Sequence, residues 1–166
     1  MESPLEEQVG ELLRSRGLKL ATAESCTGGL IADRITNIPG SSDYFAGGIV
    51  AYANSVKIHT LGVSAETIER QGAVSREIAI EMARGARLRL AVDLAVSVTG
   101  IAGPGGGLPG KPVGTTWIGL SAVEGDWARL FTWQGNREEN KASSAEAALD
   151  LILAYFRGNL DLEKAA

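Results

Sequence analysis

A serine lies where the chain passes from an expected strand into an expected helix. Ser25 follows the apolar run that ends at Ala23, and Gly28 and Gly29 come shortly after it. The first N–H groups of a helix have no partner within the helix and carry the positive end of its dipole. Such donors can stabilise an oxyanion, so Ser25 is a candidate nucleophile, the alternative being that it only caps the helix. Cys26 is a second candidate, although a small buried cysteine is far commoner than a reactive one.

A nucleophilic serine needs a base, and the sequence offers two. His59 is the single histidine, but no G-x-S-x-G pattern surrounds any serine, so a Ser-His-Asp arrangement lacks its usual support. Lys57 is the alternative, with Tyr52 shortly before it. A lysine acts as a base only when neutral, which requires its pKa to fall by about 2–3 units, or about 3–4 kcal/mol of desolvation or cationic repulsion. Burial beside an apolar strand can supply this, whereas a lysine on a solvated face would do no chemistry.

A long segment, residues 100–114, contains seven glycines and three prolines. Gly105-x-x-x-x-Gly110-Lys111 satisfies most of a phosphate-binding P-loop, but Pro112 stands where serine or threonine should hold magnesium, and a strand follows instead of a helix. The glycines also fit G-x-G-x-x-G, in the same unsuitable context. Prolines restrict the segment, and rigid loops at the carboxyl ends of strands often bind ligands. Ligand binding is therefore favoured over a plain surface turn.

Composition limits the class of protein. The 166 residues suit a single domain, residues 1–166, and the net charge of −4 argues against a nucleic-acid binder, which needs a basic face. One cysteine excludes an internal disulfide and fits a reducing compartment. We see no signal peptide, no apolar run long enough for a membrane span and no cluster of metal ligands, so we expect a soluble cytoplasmic protein without a metal.

Hydrophobic periodicity and turn signals place the secondary structure. Helices are expected from Leu5 to Gly17, from the Ser25 turn to about Thr36, over 65–70 and from Ser75 to about Leu90, with a last helix from Asn136 to about Arg157 and a frayed tail over 158–166. Strands are expected over 18–23, 45–52, 94–99, 115–123 and 127–133, the last two joined by a turn at 124–126. Helices alternate with strands early and a hairpin comes late. This order predicts a three-layer α/β/α sandwich with a mixed β-sheet.

Several motifs in this order resemble the CinA C-terminal domain family. The resemblance runs from about residue 5 to 157. Its two highly specific elements are Glu-Ser-Cys-Thr-Gly-Gly and Thr-Gly-Ile-Ala-Gly-Pro, the first and fifth motifs in the following list. The motifs are Ala23-Glu24-Ser25-Cys26-Thr27-Gly28-Gly29, Gly47-Gly48 with Tyr52-x-Asn54-x-x-Lys57, Leu61-Gly62-Val63, Gly72-Ala73-Val74-Ser75, Thr99-Gly100-Ile101-Ala102-Gly103-Pro104, Lys111-Pro112-Val113-Gly114 and Gly135-Asn136-Arg137-Glu138. One departure is Lys141, where the family pattern leads us to expect arginine.

The resemblance implies an activity. Active members of this family are nicotinamide-nucleotide amidases, which convert nicotinamide mononucleotide to nicotinate mononucleotide and ammonia without a cofactor. The family's Ser-Lys hydrolysis carries over onto Ser25 and Lys57, with Tyr52 as a helper. Many members have an additional N-terminal domain, so this chain is similar to the stand-alone deamidase form. The family also implies a homo-oligomer.

We expect the substrate to be held by residues of the same motifs. Oxyanion donors are expected near the Ser25 turn or at the end of the 94–99 strand, and phosphate donors at Arg137, then the backbone of 103–107, then Lys111. The expected substrate-binding residues are Thr27, Gly28, Gly29, Asn54, Thr99, Gly100, Gly103, Gly105, Lys111 and Arg137. Two alternatives remain open: a non-catalytic module that binds a pyridine nucleotide or a protein, and a hydrolase acting on another amide or ester.

Overall fold

The computed structural model describes residues 1–160, and its centre is a five-stranded mixed sheet. The strands lie in the order β2-β1-β3-β4-β5, and β1 pairs in parallel with both β2 and β3. The pairs β3–β4 and β4–β5 are antiparallel, as expected for a late hairpin. The strands are β1 (Leu20–Glu24), β2 (Phe45–Val50), β3 (Leu94–Gly100), β4 (Thr115–Ala122) and β5 (Gly125–Thr132).

Six helices cover the two faces of this sheet. Helices α1, α2 and α6 form one apolar core with the large side chains of the strands. Helices α3 and α5 form a second core with the alanines of the strands, and α4 packs against α5. The three-layer α/β/α sandwich predicted from the sequence is thus confirmed. The helices are α1 (Leu5–Arg16), α2 (Leu30–Thr36), α3 (Asn54–Leu61), α4 (Ala65–Gln71), α5 (Arg76–Arg89) and α6 (Arg137–Phe156).

Strand β3 explains why the two cores differ. Leu94, Val96 and Val98 face the α1/α2/α6 side, whereas Ala95 faces α5. Small side chains let α5 lie directly on the sheet, where the Ser97 hydroxyl donates to the carbonyl oxygen of Ala79. The alternation along one strand therefore sets the thickness of each layer.

The predicted helix caps are present. The Ser64 and Ser75 side chains accept hydrogen bonds from the backbone at the starts of α4 and α5. Asn136 and Glu139 form a reciprocal capping box at the start of α6. These caps are local interactions, which is why residue type and spacing alone could predict them.

Some predicted boundaries were wrong. Strand β2 ends at Val50, so Tyr52 lies beyond it, and the hairpin turn is Val123–Glu124, because Gly125 already pairs with Ala122. A frayed tail was expected from residue 158, but Leu160 is buried in the core, so the ordered chain extends beyond that point. The rest of that prediction, residues 161–166, lies outside the described residues. Within residues 1–160 no helix is both long and apolar enough to cross a membrane.

Candidate active site

The candidate site lies where three parallel strands end together. Strands β1, β2 and β3 run in the same direction, so the residues that follow them meet at one edge of the sheet. Ser25 directly follows β1, and its N–H donates to the carbonyl oxygen of Val98 in β3, 2.9 Å away. Carboxyl ends of parallel strands are the usual position of ligand sites in α/β folds.

The edge carries a buried serine–lysine pair. The Lys57 Nζ lies 3.1 Å from the Ser25 Oγ and 3.0 Å from the backbone oxygen of Tyr52. Lys57 is 2% exposed and Ser25 8%. The amine reaches the serine from α3, which begins just after β2. The sequence left the conformation of this segment open, and the helix was not predicted.

Burial shifts the pKa of Lys57 in the direction that a base requires. Desolvation lowers the pKa of the Lys57 amine below its ordinary value, because the charged form loses its water. Among residues 1–160 no carboxylate forms an ion pair with it, so nothing of that kind restores the charged form. The direction of the shift is the one that a neutral, proton-accepting lysine requires.

The other candidates for nucleophile and base are disfavoured by their surroundings. Burial raises the pKa of the Cys26 thiol to about 11, so the thiolate that would attack a carbonyl is scarce at neutral pH. His59 lies on α3 but is not among the residues that line the cavity around Ser25. A Ser-His arrangement is therefore not what this geometry offers.

Glu24 controls the turn that carries Ser25. Its buried carboxylate accepts hydrogen bonds from the Thr27 hydroxyl at 2.7 Å and from the N–H groups of Ile31 and Ala32 at 2.9 and 3.0 Å. The first donors of α2, which the sequence suggested for an oxyanion, are thus already taken. Within the described part of the chain, the N–H groups of Cys26 and Thr27 make no hydrogen bond to another residue.

The glycine-rich segment forms the opposite wall of the cavity. Gly100 ends β3, and together with residues 101–103, 105 and 106 it lines a space of about 290 Å³ that Ser25 and Lys57 also line. The buried Asn140 of α6 holds this wall by donating to the backbone oxygen of Ala102 at 3.0 Å. The volume is close to the lower end of the range of about 300–1,000 Å³ for ligand sites. A single aromatic ring with a small substituent suits it.

Arg137 lies at the rim of the cavity, at the first position of α6. Its guanidinium donates to the backbone oxygen of Gly103 at 2.7 Å and to the Tyr52 hydroxyl at 3.3 Å. A guanidinium has five N–H donors, so most of its capacity is left for an anion. The Tyr52 hydroxyl makes its hydrogen bond to Arg137 and not to Ser25 or Lys57, whereas its backbone oxygen holds the lysine.

Comparison with known proteins agrees with the motifs and the fold. The family described as the CinA C-terminal domain matches residues 2–156, which is nearly the whole chain. The chain belongs to this family. A CinA-like protein from Chloroherpeton thalassium is 55% identical over 155 residues, which cover 91% of this chain and 37% of that protein. The chain spans only 36–38% of the length of three curated relatives, two of which are named CinA-like proteins.

Solved structures of CinA proteins share the fold. A competence-damaged protein (CinA) superfamily protein from Escherichia coli superimposes with a TM-score of 0.88 at 32% identity, covering 91% of this chain and 88% of that one. The competence/damage inducible protein CihA from Agrobacterium tumefaciens gives a TM-score of 0.85 at 39% identity, covering 93% and 97%. The layers and sheet described above are therefore those of the CinA superfamily.

The CinA motifs do not all meet at the cavity. It is lined by the predicted residues Ser25, Tyr52, Asn54, Lys57, Thr99, Gly100, Gly103, Gly105 and Arg137. Thr27, Gly28 and Gly29 are not among its lining residues, and the Thr27 hydroxyl is occupied by Glu24. Lys111 does not line the cavity either, and its amine donates to the backbone oxygen of Gln71 at 2.6 Å. It holds the tip of the glycine-rich segment against the end of α4.

Sequence reasoning missed several residues that shape the site. Ala73 and Val74 line the cavity, and the Thr99 hydroxyl donates to the backbone oxygen of Ala73 at 2.8 Å. Glu24 and Asn140 position the two walls without lining the cavity themselves. The only available signal for the first pair was the CinA motif at 72–75. Neither Glu24 nor Asn140 could be assigned a partner before the tertiary structure was known.

Within residues 1–160 no group of three or more histidine, cysteine or acidic side chains could hold a metal ion.

Proposed function

We propose that this CinA domain hydrolyses the carboxamide of nicotinamide mononucleotide, giving nicotinate mononucleotide and ammonia. The observation that carries the proposal is the desolvated Lys57 amine 3.1 Å from the Ser25 hydroxyl, at the closed end of a cavity with a cation at its rim. A neutral amine at that distance can accept the serine proton. The rest of the cavity then has to place an amide carbon at Ser25 and an anion at Arg137.

Acylation of Ser25 is the first step. The neutral Lys57 amine takes the hydroxyl proton as Oγ forms a bond to the carboxamide carbon, and the carbonyl oxygen becomes an oxyanion. The N–H group of Cys26, a residue that lines the cavity, makes no hydrogen bond to another residue within residues 1–160 and is assigned to stabilise it. Protonated Lys57 then gives its proton to the amide nitrogen as the C–N bond breaks, because ammonia, and not its anion, must leave.

Hydrolysis of the acyl-enzyme completes the cycle. Ammonia departs and leaves Lys57 neutral again, so the same amine can accept a proton from water. The hydroxide adds to the ester carbon, and Oγ leaves with the proton that Lys57 returns to it. The products are the free Ser25 hydroxyl and the nicotinate carboxyl group. Each proton that Lys57 accepts is given back, so no other acid or base is required.

Recognition of the nucleotide is assigned to the other end of the cavity. Its volume of about 290 Å³ suits the pyridine ring and its amide better than a whole mononucleotide. The ribose phosphate is then directed to the rim, where Arg137 is exposed and retains free donors. Bidentate pairing with phosphate is the strongest interaction that this guanidinium can make.

An ammonia-release assay with nicotinamide mononucleotide tests the proposal. Wild-type protein should release ammonia, and Ser25→Ala should lower kcat by at least about 10³-fold, as removal of a serine nucleophile does. Ser15→Ala is the matched control, because it removes an exposed serine hydroxyl of α1, away from the cavity, and should keep turnover. Loss of activity in Cys26→Ser but not in Ser25→Ala would assign the chemistry to the thiol. A wild-type protein that binds the mononucleotide and releases no ammonia would favour a binding module.

A further inference from the structure

A second cavity lies on the far side of Arg137. This outer cavity has a volume of about 510 Å³ and shares Ala102 and Arg137 with the cavity around Ser25. Pro104 and Val113 contribute apolar wall, and Glu138 contributes a carboxylate. Arg137 therefore stands between two spaces, one that ends at the serine–lysine pair and one that the proposed reaction does not use.

The position of the outer cavity matters for substrate choice. If Arg137 holds the phosphate of a mononucleotide, then a substituent on that phosphate lies next to a residue that also lines the outer cavity. A pyridine dinucleotide has the same carboxamide and carries a second phosphate and nucleoside at this place. Because the outer cavity is larger than the inner one, lack of space does not exclude it.

The charges of the outer cavity are unfavourable for a second phosphate. The Glu138 carboxylate makes no hydrogen bond or ion pair within residues 1–160, so its negative charge is not neutralised by a fixed partner. At the start of α6 the N–H groups of Asn136 and Glu139 are bonded by each other's side chains, so only those of Arg137 and Glu138 are left to offset this charge. Arg137, the cation that lines this cavity with Glu138, is committed to the first phosphate in the proposed complex.

We propose that Glu138 makes the site selective for mononucleotides, by placing an uncompensated carboxylate where the second phosphate of a dinucleotide would have to lie. This inference rests on the proposed amidase function. Arg137 attracts the terminal phosphate of a mononucleotide, and Glu138 repels an anion that extends past it. The selection is electrostatic and not steric, so it depends on the charge at position 138 and weakens as salt screens it.

The test compares ammonia release from nicotinamide mononucleotide and from nicotinamide adenine dinucleotide. The measured quantity is the ratio of kcat/KM for the dinucleotide to that for the mononucleotide. For an unscreened charge near the second phosphate, Glu138→Gln should raise this ratio about three- to ten-fold, and Glu138→Lys should raise it further. Glu11→Gln, an exposed acid that lines a separate cavity beside α1, should leave the ratio unchanged.

The outcomes separate this inference from the proposed function. If wild-type protein releases no ammonia from the mononucleotide, the amidase proposal itself fails. If it does so, but the ratio is the same in wild type, Glu138→Gln and Glu138→Lys, then Glu138 is not the selective group. Equal use of both nucleotides by wild type would also overturn the inference. A ratio that rises in both variants at low salt, and converges with wild type at high salt, supports it.

Discussion

The inner end of the cavity and its rim hold their functional side chains in different ways. At the inner end, Lys57 is 2% exposed and its amine is fixed between the Ser25 hydroxyl and a backbone oxygen. At the rim, Tyr52 is 63% exposed, and Arg137 meets it through a long hydrogen bond of 3.3 Å. Desolvation changes a pKa only where water is excluded, whereas an exposed guanidinium stays charged and free to exchange partners. The inner end is therefore suited to proton transfer, and the rim to recognition of an anion.

The largest effect should come from changing the inner amine. Lys57→Arg keeps a positive charge that cannot be lost at ordinary pH, and Lys57→Met keeps the apolar stem without a base. Both should lower kcat by about 10²–10⁴-fold, because general-base catalysis is lost. Steady-state kinetics measure this, with mononucleotide binding as the control for an intact rim. Wild-type turnover in the arginine variant would contradict the proposed role of the lysine.

Changing the rim should affect binding more than turnover. Arg137→Ala removes a charge-assisted contact worth about 1.5–3 kcal/mol, so KM for the mononucleotide should rise about 10- to 100-fold with a much smaller change in kcat. Nicotinamide riboside, which lacks the phosphate, provides the matched comparison, since its KM should hardly respond. An equal loss with both substrates would show that the arginine acts by holding Gly103 and not by binding phosphate.

A smaller effect is expected from the packing behind the inner end. A Cβ on Gly85 of α5 would lie 1.9 Å from the backbone oxygen of Leu61, at the end of the helix that carries Lys57. Gly85→Ala should therefore displace α3, lower the free energy of unfolding by about 1–3 kcal/mol and reduce kcat. Denaturant unfolding and kinetics measure the two effects. Gly47→Ala is the control, because its Cβ would make only an ordinary contact of 3.8 Å. Full stability and activity of the Gly85 variant would refute this account of how α3 is placed.

The pH dependence of stability gives the smallest and most specific test of the inner end. Burial lowers the pKa of Lys57 in the folded protein below the ordinary value of 10.5, so the unfolded chain binds more protons between these two values. The stability of the wild-type protein must therefore rise with pH between the lowered pKa and 10.5. Below the lowered pKa the buried amine is protonated, and the full cost of burying its charge reduces stability.

Lys57→Met removes this penalty. The gain in stability of this variant over wild type should be largest below the lowered pKa. The gain should then decrease as the pH approaches 10.5, by about 1.4 kcal/mol for each unit by which burial lowers the pKa. Denaturant midpoints at a series of pH values measure the difference. A difference that does not change with pH would mean that the amine is not destabilised in its charged form.

The predictability of the fold follows the range of the interactions. The caps at Ser64, Ser75 and Asn136 depend on neighbours in sequence, so they could be predicted from residue types. Helix α3 could not, because only Lys57 and Leu61 of its residues are buried and no apolar face marks it. Short helices of this kind are stabilised by tertiary packing rather than by their own propensity.

The site was predicted in the same uneven way. Ser25, Lys57 and Arg137 could be proposed from their chemistry and from the CinA motifs, and the fold brings them to one cavity. Lys111 was proposed as the third candidate to bind the phosphate, yet its amine bonds the end of α4. A lysine has a long, flexible side chain, so sequence position alone cannot say which neighbour it reaches.

The sequence by itself determined the layers of the sandwich, the caps of three helices and the family, because these depend on periodicity, local hydrogen bonds and an ordered set of motifs. Only the tertiary structure decided that the Lys57 amine is buried against Ser25, that Glu24 occupies the first donors of α2 and that Arg137 separates two cavities. These facts depend on contacts between residues distant in the chain, and both desolvation and a cavity are properties of such contacts.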